Sequence, residues 1–391
     1  MKFPLPPNTF PPVDLSEQDA KTIEALADYF VQDTMERYQD HRVADRGVVD
    51  TNRWKMIKQR EDVRVYRERS SATAAAAAVA QATGSSSVVD PAGNAEAMPL
   101  LLTFGTIQGN LDDVMYGAMN PTVDGMKLKS AYVEDGFVDW AVLATLIKPT
   151  PQEPLRELSI KWTVKGHPLL IGAVMRIRDT LYIESIGITR NKNGERIGYH
   201  LQHSIELPAA RELLELNIVR AKISFCHLFR QKKEDVVEVY VRGLISIMGD
   251  APASFAALTS ADVSVSVWKN VHCAKMKKLS WLLRTKSGAV TTCRVCLERV
   301  CSRCYLTERV HSTSAYSDKV IRHKTVFCVN CVKAASRTSA QDVAIAEMVE
   351  AERHLTKLPR RSTFDGDMTY SSSSSHSNSF SSFGGRSHRS A

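Results

Sequence analysis

The chain has 391 residues, 43% of them hydrophobic, and 51 Lys and Arg against 43 Asp and Glu give it a formal net charge of +8. That length allows two or three domains, and the basic balance tilts partners toward anionic surfaces such as a membrane. No run of 18 apolar residues and no apolar leader occurs, so neither a transmembrane helix nor a secretory signal is expected.

Residues 1–15 form a Pro-rich, extended leader. Residues 16–40 have the marks of a helix: Ser16 and Asp19 as caps, and an apolar face of Ile23, Leu26, Tyr29, Phe30 and Met35. Trp54, Met56 and Ile57, then Val63, Val65 and Tyr66, predict two short strands around a charged turn. Residues 70–96 are Ala-, Ser- and Gly-rich and read as a low-complexity insertion. Residues 98–106 predict a buried strand, and 111–119 and 121–131 two short helices. Strand-like segments follow at 137–146, 155–165, 168–177, 180–188, 197–206, 218–230 and 236–247, with a hairpin turn at 192–195.

After Pro252 the period becomes helical. From Ser260 to Leu283, Val265, Trp268, Met276, Leu279 and Leu283 recur at three- and four-residue steps, widened by Val271 and Leu282. Lys275, Lys277 and Lys278 fall off this stripe or on its border, and Cys273 lies inside the helix. A helix over 335–355 and a Ser-rich tail unable to form a core complete the chain.

Helix, strands, two short helices, a long antiparallel run and a terminal helix make an order that resembles the START lipid-transfer domain, a helix-grip fold. The segments carrying the resemblance are WKMIKQREDVRVYRE, RDTLYIESIG at 178–187, YHLQHSIELP, VYVRGLI and GDAPASF with its following helix. The resemblance implies a curved antiparallel sheet closed by a long helix over an apolar cavity that holds a lipid. In that family a polar side chain often sits in the strand after the Arg-Asp pair. Glu184 takes that place, as a cavity residue or as a surface partner of a nearby Arg. Trp268 and Val271 either line the cavity or pack.

Eight cysteines occur, and six form Cys-x-x-Cys pairs within 39 residues: Cys293/Cys296, Cys301/Cys304 and Cys328/Cys331. Two such turns aim four sulfurs at one point, the donor set of structural Zn²⁺, and their segment reads as too polar to bury a core. Such usage fits a reducing compartment, so a cytoplasmic protein is expected. CRVCLERVCSRC followed by FCVNC resembles the latter part of a FYVE-type finger. The resemblance implies one zinc on Cys293, Cys296, Cys328 and Cys331, and half of a second on Cys301 and Cys304. It also implies a peripheral site on endosomal membranes. The family's first Cys pair is absent, as is most of the basic signature that grips phosphatidylinositol 3-phosphate; only Arg294 remains. Cys273 is a packed helix residue, or a ligand beside Cys301 and Cys304 with His272. Without it, Cys301 and Cys304 recruit His311 or His323, or bind no metal. A RING-like ligase lacks its central histidine here.

No P-loop, nucleophile elbow or HExxH motif is present, and closed Cys₄ sites leave no position for substrate, so no enzyme is expected. His200 and His203, three apart on a strand, point to opposite faces. No dense basic stripe with interleaved aromatics argues for nucleic acid. The expectation is an α+β chain: a Pro-rich leader at 1–15, a START-like domain at 16–287, a zinc finger at 288–335, then a short helix and tail at 336–391. It binds lipid, and the finger docks it to an anionic membrane or a protein; a protein-interaction adaptor with a filled cavity is the alternative. The oomycete START–FYVE pairing is of this kind.

Overall fold

Alternation along β5, Glu157–Lys165, sets the two sides of the molecule. Leu158, Ile160, Trp162 and Val164 face one way; Glu157, Ser159, Lys161 and Thr163 face the other. The computed structural model describes residues 3–6, 8–69, 100–166, 176–246, 248, 261–285, 292–300, 305–314 and 317–357. Residues Met1–Ala351 form one compact unit; of the second, Glu352–Ala391, only the end of the last helix is described. The expected insertion at 70–96, most of the strand at 168–177 and the Ser-rich tail lie outside the described residues.

Nine strands make one sheet: β1 (Trp54–Arg60), β2 (Val63–Glu68), β3 (Leu101–Gln108), β4 (Phe137–Ile147), β5, β6 (Ile177–Arg190), β7 (Arg196–Ser204), β8 (Ile218–Lys233) and β9 (Val236–Ser246). Their order is β1-β2-β3-β9-β8-β7-β6-β5-β4. Neighbours are antiparallel, with an added parallel contact of Ile177–Thr180 on Ile218–Ala221. Register shifts in β1–β2, β4–β5 and β8–β9 bend the strands, as bulges do. The outer face carries α1 (Glu17–Val43), capped by Ser16, whose Oγ accepts the Asp19 amide at 3.1 Å.

The expected apolar face of α1 is partly corrected. Tyr29 is 63% exposed, and the buried line is Ala27, Val31, Thr34, Tyr38 and His41. Small and hydrogen-bonded side chains allow the helix to approach the sheet closely: Thr34 donates to the Phe30 carbonyl, and Tyr38 to Glu238 of β9. The leader lies on this same outer side, Phe10 edge-on to Trp162. There too Asp179 accepts from the Trp162 indole at 2.6 Å and from both Arg220 nitrogens at 2.9 Å.

The inner face is covered by α2 (Leu111–Ala118), α3 (Val123–Val133) and α4 (Asn270–Thr285). This is the helix-grip arrangement expected from the sequence. Gly117 is the contact point between α2 and α4: a Cβ there would stand 1.9 Å from the Asn270 carbonyl oxygen. The single helix expected over 260–283 is broken. Residues 261–265 are helical, Ser266–Lys269 form a 3-10 turn, and only then does α4 begin. The β-branched run Val263, Val265, Val267 and the Ser266 hydroxyl, which bonds back to the Val263 carbonyl at 2.7 Å, favour the tighter turn.

Of the lysines expected off the apolar stripe of α4 or on its border, two are covered by α2. Lys278 is 1% exposed and bonded to Asp113 of α2. Lys277 lies 3.9 Å from the Tyr116 ring centroid and donates to the Tyr116 and Met119 carbonyls. α4 is covered on two sides, which periodicity along one helix cannot reveal.

The helix expected over 335–355 is two helices, α5 (Val329–Arg337) and α6 (Ala340–Lys357). The missed signal is a capping sequence, Ser339-x-x-Asp342, in which Ser339 Oγ accepts the Asp342 amide at 3.2 Å. Ala340, Val343 and Ala344 of α6 join the inner core, and Glu347 binds Tyr116 at 2.6 Å and Arg284 at 2.7 Å.

Before α5 a long hairpin, β10 (Tyr305–Ser314) and β11 (Ser317–Cys328), extends the finger. The cysteine segment was expected to bury no core. It does bury one, in company: Cys293, Val295, Val310, Phe327, Val332 and Ala335 pack with Tyr132 and Val133 of α3 and Cys273, Met276 and Leu279 of α4. The apolar residues are too few to enclose one another, but the body supplies the other half.

Candidate functional site

The inner face is apolar on one half and polar on the other. β2, β3, β8 and β9 contribute Val63, Val65, Leu101, Phe225, Phe229, Val237, Val239 and Val241, all buried, together with Met115 of α2. β5, β6 and β7 contribute charge. Glu184 stands opposite Ser159 on β5 and Gln202 on β7, which puts Lys161 and His200 on its diagonals.

Lys161, Glu157 and Glu184 are 0%, 1% and 2% exposed. Lys161 Nζ binds Glu157 Oε1 at 2.8 Å, the Asn120 carbonyl at 2.9 Å and Glu184. Glu184 Oε1 faces His200 Nε2 at 2.8 Å and accepts from Gln202 at 3.3 Å; its other oxygen accepts from Asn120 Nδ2 at 3.4 Å. Burial opposes the charge on Glu184, but Lys161 and His200 outweigh it and hold the carboxyl well below the usual range. Burial likewise opposes the charge on Lys161, and its two carboxylates raise its pKa.

Four buried polar atoms have no partner among the described residues: Glu157 Oε2 and Asn120 Oδ1 in this cluster, Thr103 Oγ1 on β3 and Ser264 Oγ in the helical residues 261–265. The first two are acceptors and the other two are hydroxyls that can donate or accept, groups that native interiors satisfy with water or ligand. Of the residues expected to line a cavity, Glu184 is buried on the inner face of the sheet, paired with Lys161 and His200 rather than with an arginine. Trp268 and Val271 are partly buried against the inner core, with Val271 over Gly109. The sequence reading missed Lys161, Glu157 and Asn120. The signal was available: polar residues at every second position of an otherwise apolar β5.

His200 and His203 do point to opposite faces, His203 lying against Phe30 with its Nδ1 2.9 Å from Ser224 Oγ. Burial pushes His203 down to about 4, and burial with the neighbouring His200 pushes His227 to about 3. Both folded values lie below the ordinary value of about 6.5, so the unfolded chain takes up protons first as pH falls. Their contribution is complete above about pH 6.5 and declines toward pH 4, each group at up to about 1.4 kcal/mol per unit. Glu184, depressed in the folded state, contributes above the ordinary Glu value of about 4.3 and does not enter that window. Burial also lowers His200, His272 and His311, so urea midpoints should drop between about pH 7 and pH 5, and His203→Gln should remove only its own share of that drop. An unchanged midpoint would show that these imidazoles reach solvent.

The second constellation is in the finger. The structure brings Cys293, Cys296, Cys328 and Cys331 together, their sulfurs all within 4.8 Å of one another. Cys293 and Cys296 flank a tight turn closed by the Leu297 amide on the Cys293 carbonyl at 2.9 Å. Cys328 caps α5, its Sγ accepting the Cys331 amide at 3.3 Å. All four are free thiols. Cys296 Sγ and Cys328 Sγ are 3.8 Å apart. Four sulfurs at about 2.3 Å from one ion at tetrahedral angles stand about 3.8 Å from each other, so the set fits a tetrahedral, thiophilic metal. Burial raises the Cys293 thiol, yet backbone amides of Cys296, Cys328 and Val295 outweigh it and hold it at about 6; burial pushes Cys296 and Cys331 up. Cys301 and Cys304 lie outside the described residues, as does any second site built on them. Cys273 is fully buried in the core shared with the finger and is not one of the four. Among the described residues no helix is long and apolar enough to cross a membrane.

Neither the protein-family models nor the curated proteins contain a match to this chain. Among solved structures it is similar to the human StarD13 (DLC2) lipid transfer and protein localization domain, with 12% identity and a TM-score of 0.38 over 61% of this chain and 95% of that one. Human STARD10 matches with 12% identity and a TM-score of 0.39, over 63% and 82%. Human StAR-related lipid transfer protein 5 matches with 15% identity and a TM-score of 0.39, over 64% and 98%. The fold assignment rests on the strand order and helix placement above.

Proposed function

We propose that this chain is a non-enzymatic lipid-binding protein with a START-like cavity between the sheet and α4. The observation that carries the proposal is the divided inner face, half apolar and half polar, with unpartnered polar atoms at Glu157, Asn120, Thr103 and Ser264. An amphiphile satisfies both halves. Its chain lies on Phe225, Val239 and Val241, and a head bearing O–H or N–H groups donates to Glu157 Oε2 and Asn120 Oδ1. The chemistry favours a hydroxyl- or amide-bearing lipid over a phosphate-headed one, because carboxylate and amide oxygens repel an anion. Zn²⁺ on Cys293, Cys296, Cys328 and Cys331 holds the finger, which docks the protein to its membrane or partner.

Native mass spectrometry of the full-length protein, with metal content measured alongside, tests this. The expected spectrum shows a mass excess of one lipid and at least one zinc. Asn120→Leu, which removes one acceptor, should lower lipid occupancy while zinc stays constant. Zinc with no lipid, even after incubation with hydroxyl- and amide-bearing lipids, would overturn the lipid reading and favour the adaptor.

A further inference from the structure

The β10–β11 hairpin presents two faces of opposite character. Directly opposed residues of an antiparallel pair share a face. Val310, Thr325 and Phe327 are buried on the face toward the body, with Leu306 and Ile321 of that face exposed toward its edges. On the other face Arg309 stands opposite Lys324, and Arg322 stands opposite His311, whose ring packs edge-on to Tyr132 of α3 at 4.7 Å. Arg309, Arg322 and Lys324 are exposed, and none makes an ion pair or hydrogen bond among the described residues. Glu308, the acid on these strands whose side chain is described, is bound to Lys275 at 3.0 Å.

Like charges directly opposite each other destabilise a ladder. Arg309 facing Lys324, with Arg322 two residues along, is therefore a feature that folding does not explain and an anion would. The same face carries apolar groups: Tyr305, 41% exposed, and half-buried Val320 and Val326, which belong to none of the buried clusters.

We infer that this outer face of the hairpin is the docking surface of the finger and that its partner is an anionic bilayer. The inference rests on the docking role given to the finger above and names the surface and its ligand. Cations in a flat patch with an exposed tyrosine suit a headgroup layer, where each Lys or Arg near the surface contributes and tyrosine prefers the interface. Single-stranded nucleic acid would need a run of stacking rings, and the face offers one.

The test is co-sedimentation of the full-length protein with phosphatidylcholine vesicles, with and without phosphatidylserine, at low and high salt. Binding should require phosphatidylserine and fade with salt. The triple variant Arg309→Gln, Arg322→Gln, Lys324→Gln should partition roughly a hundredfold less, from the usual contribution per cation. Lys55→Gln, Arg60→Gln, Lys192→Gln, equally exposed and far along the chain, should bind as the parent does. The hairpin triple should melt no lower than the parent, because it removes a repulsion. Equal binding by both triples, equal binding to neutral vesicles, or tighter salt-sensitive binding of an RNA oligomer or an acidic peptide would overturn the inference. Lipid retained in the native mass spectrum of the hairpin triple separates failure of this surface from failure of the cavity reading.

Discussion

Lys161→Met should cost about 3–5 kcal/mol of stability, measured as a fall in the urea midpoint with unchanged slope. Among the described residues Lys161 is the cation that bridges Glu157 and Glu184, all three being 2% exposed or less. Without it two carboxylates face each other in a space that desolvates both. One must then take a proton or the strands must part to admit water. The triple change Lys161→Met, Glu157→Gln, Glu184→Gln should recover most of the loss, because neutral groups of the same shape carry no such penalty. A loss under about 1 kcal/mol for the single variant would mean that water already reaches the cluster, and the proposed lipid cavity would have to be abandoned. The same experiment bears on function. A buried charge network beside unpartnered acceptors fixes where a polar head can sit, and the apolar half fixes where a chain can run.

Removing the zinc proposed on Cys293, Cys296, Cys328 and Cys331 should loosen α4 as well as the finger. Structural zinc binding supplies about 10–16 kcal/mol to small metal-held folds, as much as the whole stability of a typical domain. The four cysteines gather the turn at Cys293, the end of β11 and the start of α5, and those pieces bring Val295, Phe327 and Val332 onto Cys273, Met276 and Leu279. Chelation, or Cys328→Ser, should remove one zinc equivalent and raise amide exchange across Cys273–Leu283 of α4, while β8 and β9 stay protected. Faster exchange confined to residues after Cys293 would show that the body holds α4 unaided. The expected outcome also gives the metal a route to the cavity, since α4 covers the inner face on its opposite side, through Ala274 and Val271.

Element identity was largely legible before the fold was seen. Alternation marked β8 and β9, the turn Asn191–Glu195 was visible as a hairpin, and the order of helices and strands implied the helix-grip topology. The spacing of the cysteines marked three metal-type pairs, and the resemblance to a FYVE-type finger implied the quartet that the structure gathers. Local pattern failed where a second partner decided the outcome. Lys277 and Lys278 fell off the apolar stripe or on its border because their helix was read against one face; their partners Tyr116 and Asp113 lie on α2, more than 150 residues away. Glu184 is buried, and its neighbours come from β5, β7 and the α2–α3 connection, so the sequence could not tell an arginine partner from Lys161 and His200.

Strand and helix periods, caps and cysteine spacing act over a few residues, and the chain by itself determined those. Which face of each element meets which other is settled by long-range packing. Only the tertiary structure therefore decided three features: the finger shares a core with α3 and α4, the inner face divides into an apolar and a charged half, and the hairpin turns its unpaired cations outward. The physical reason is the same in each case. A residue's environment is the sum of what packs around it, and in this fold most of that comes from elsewhere in the chain.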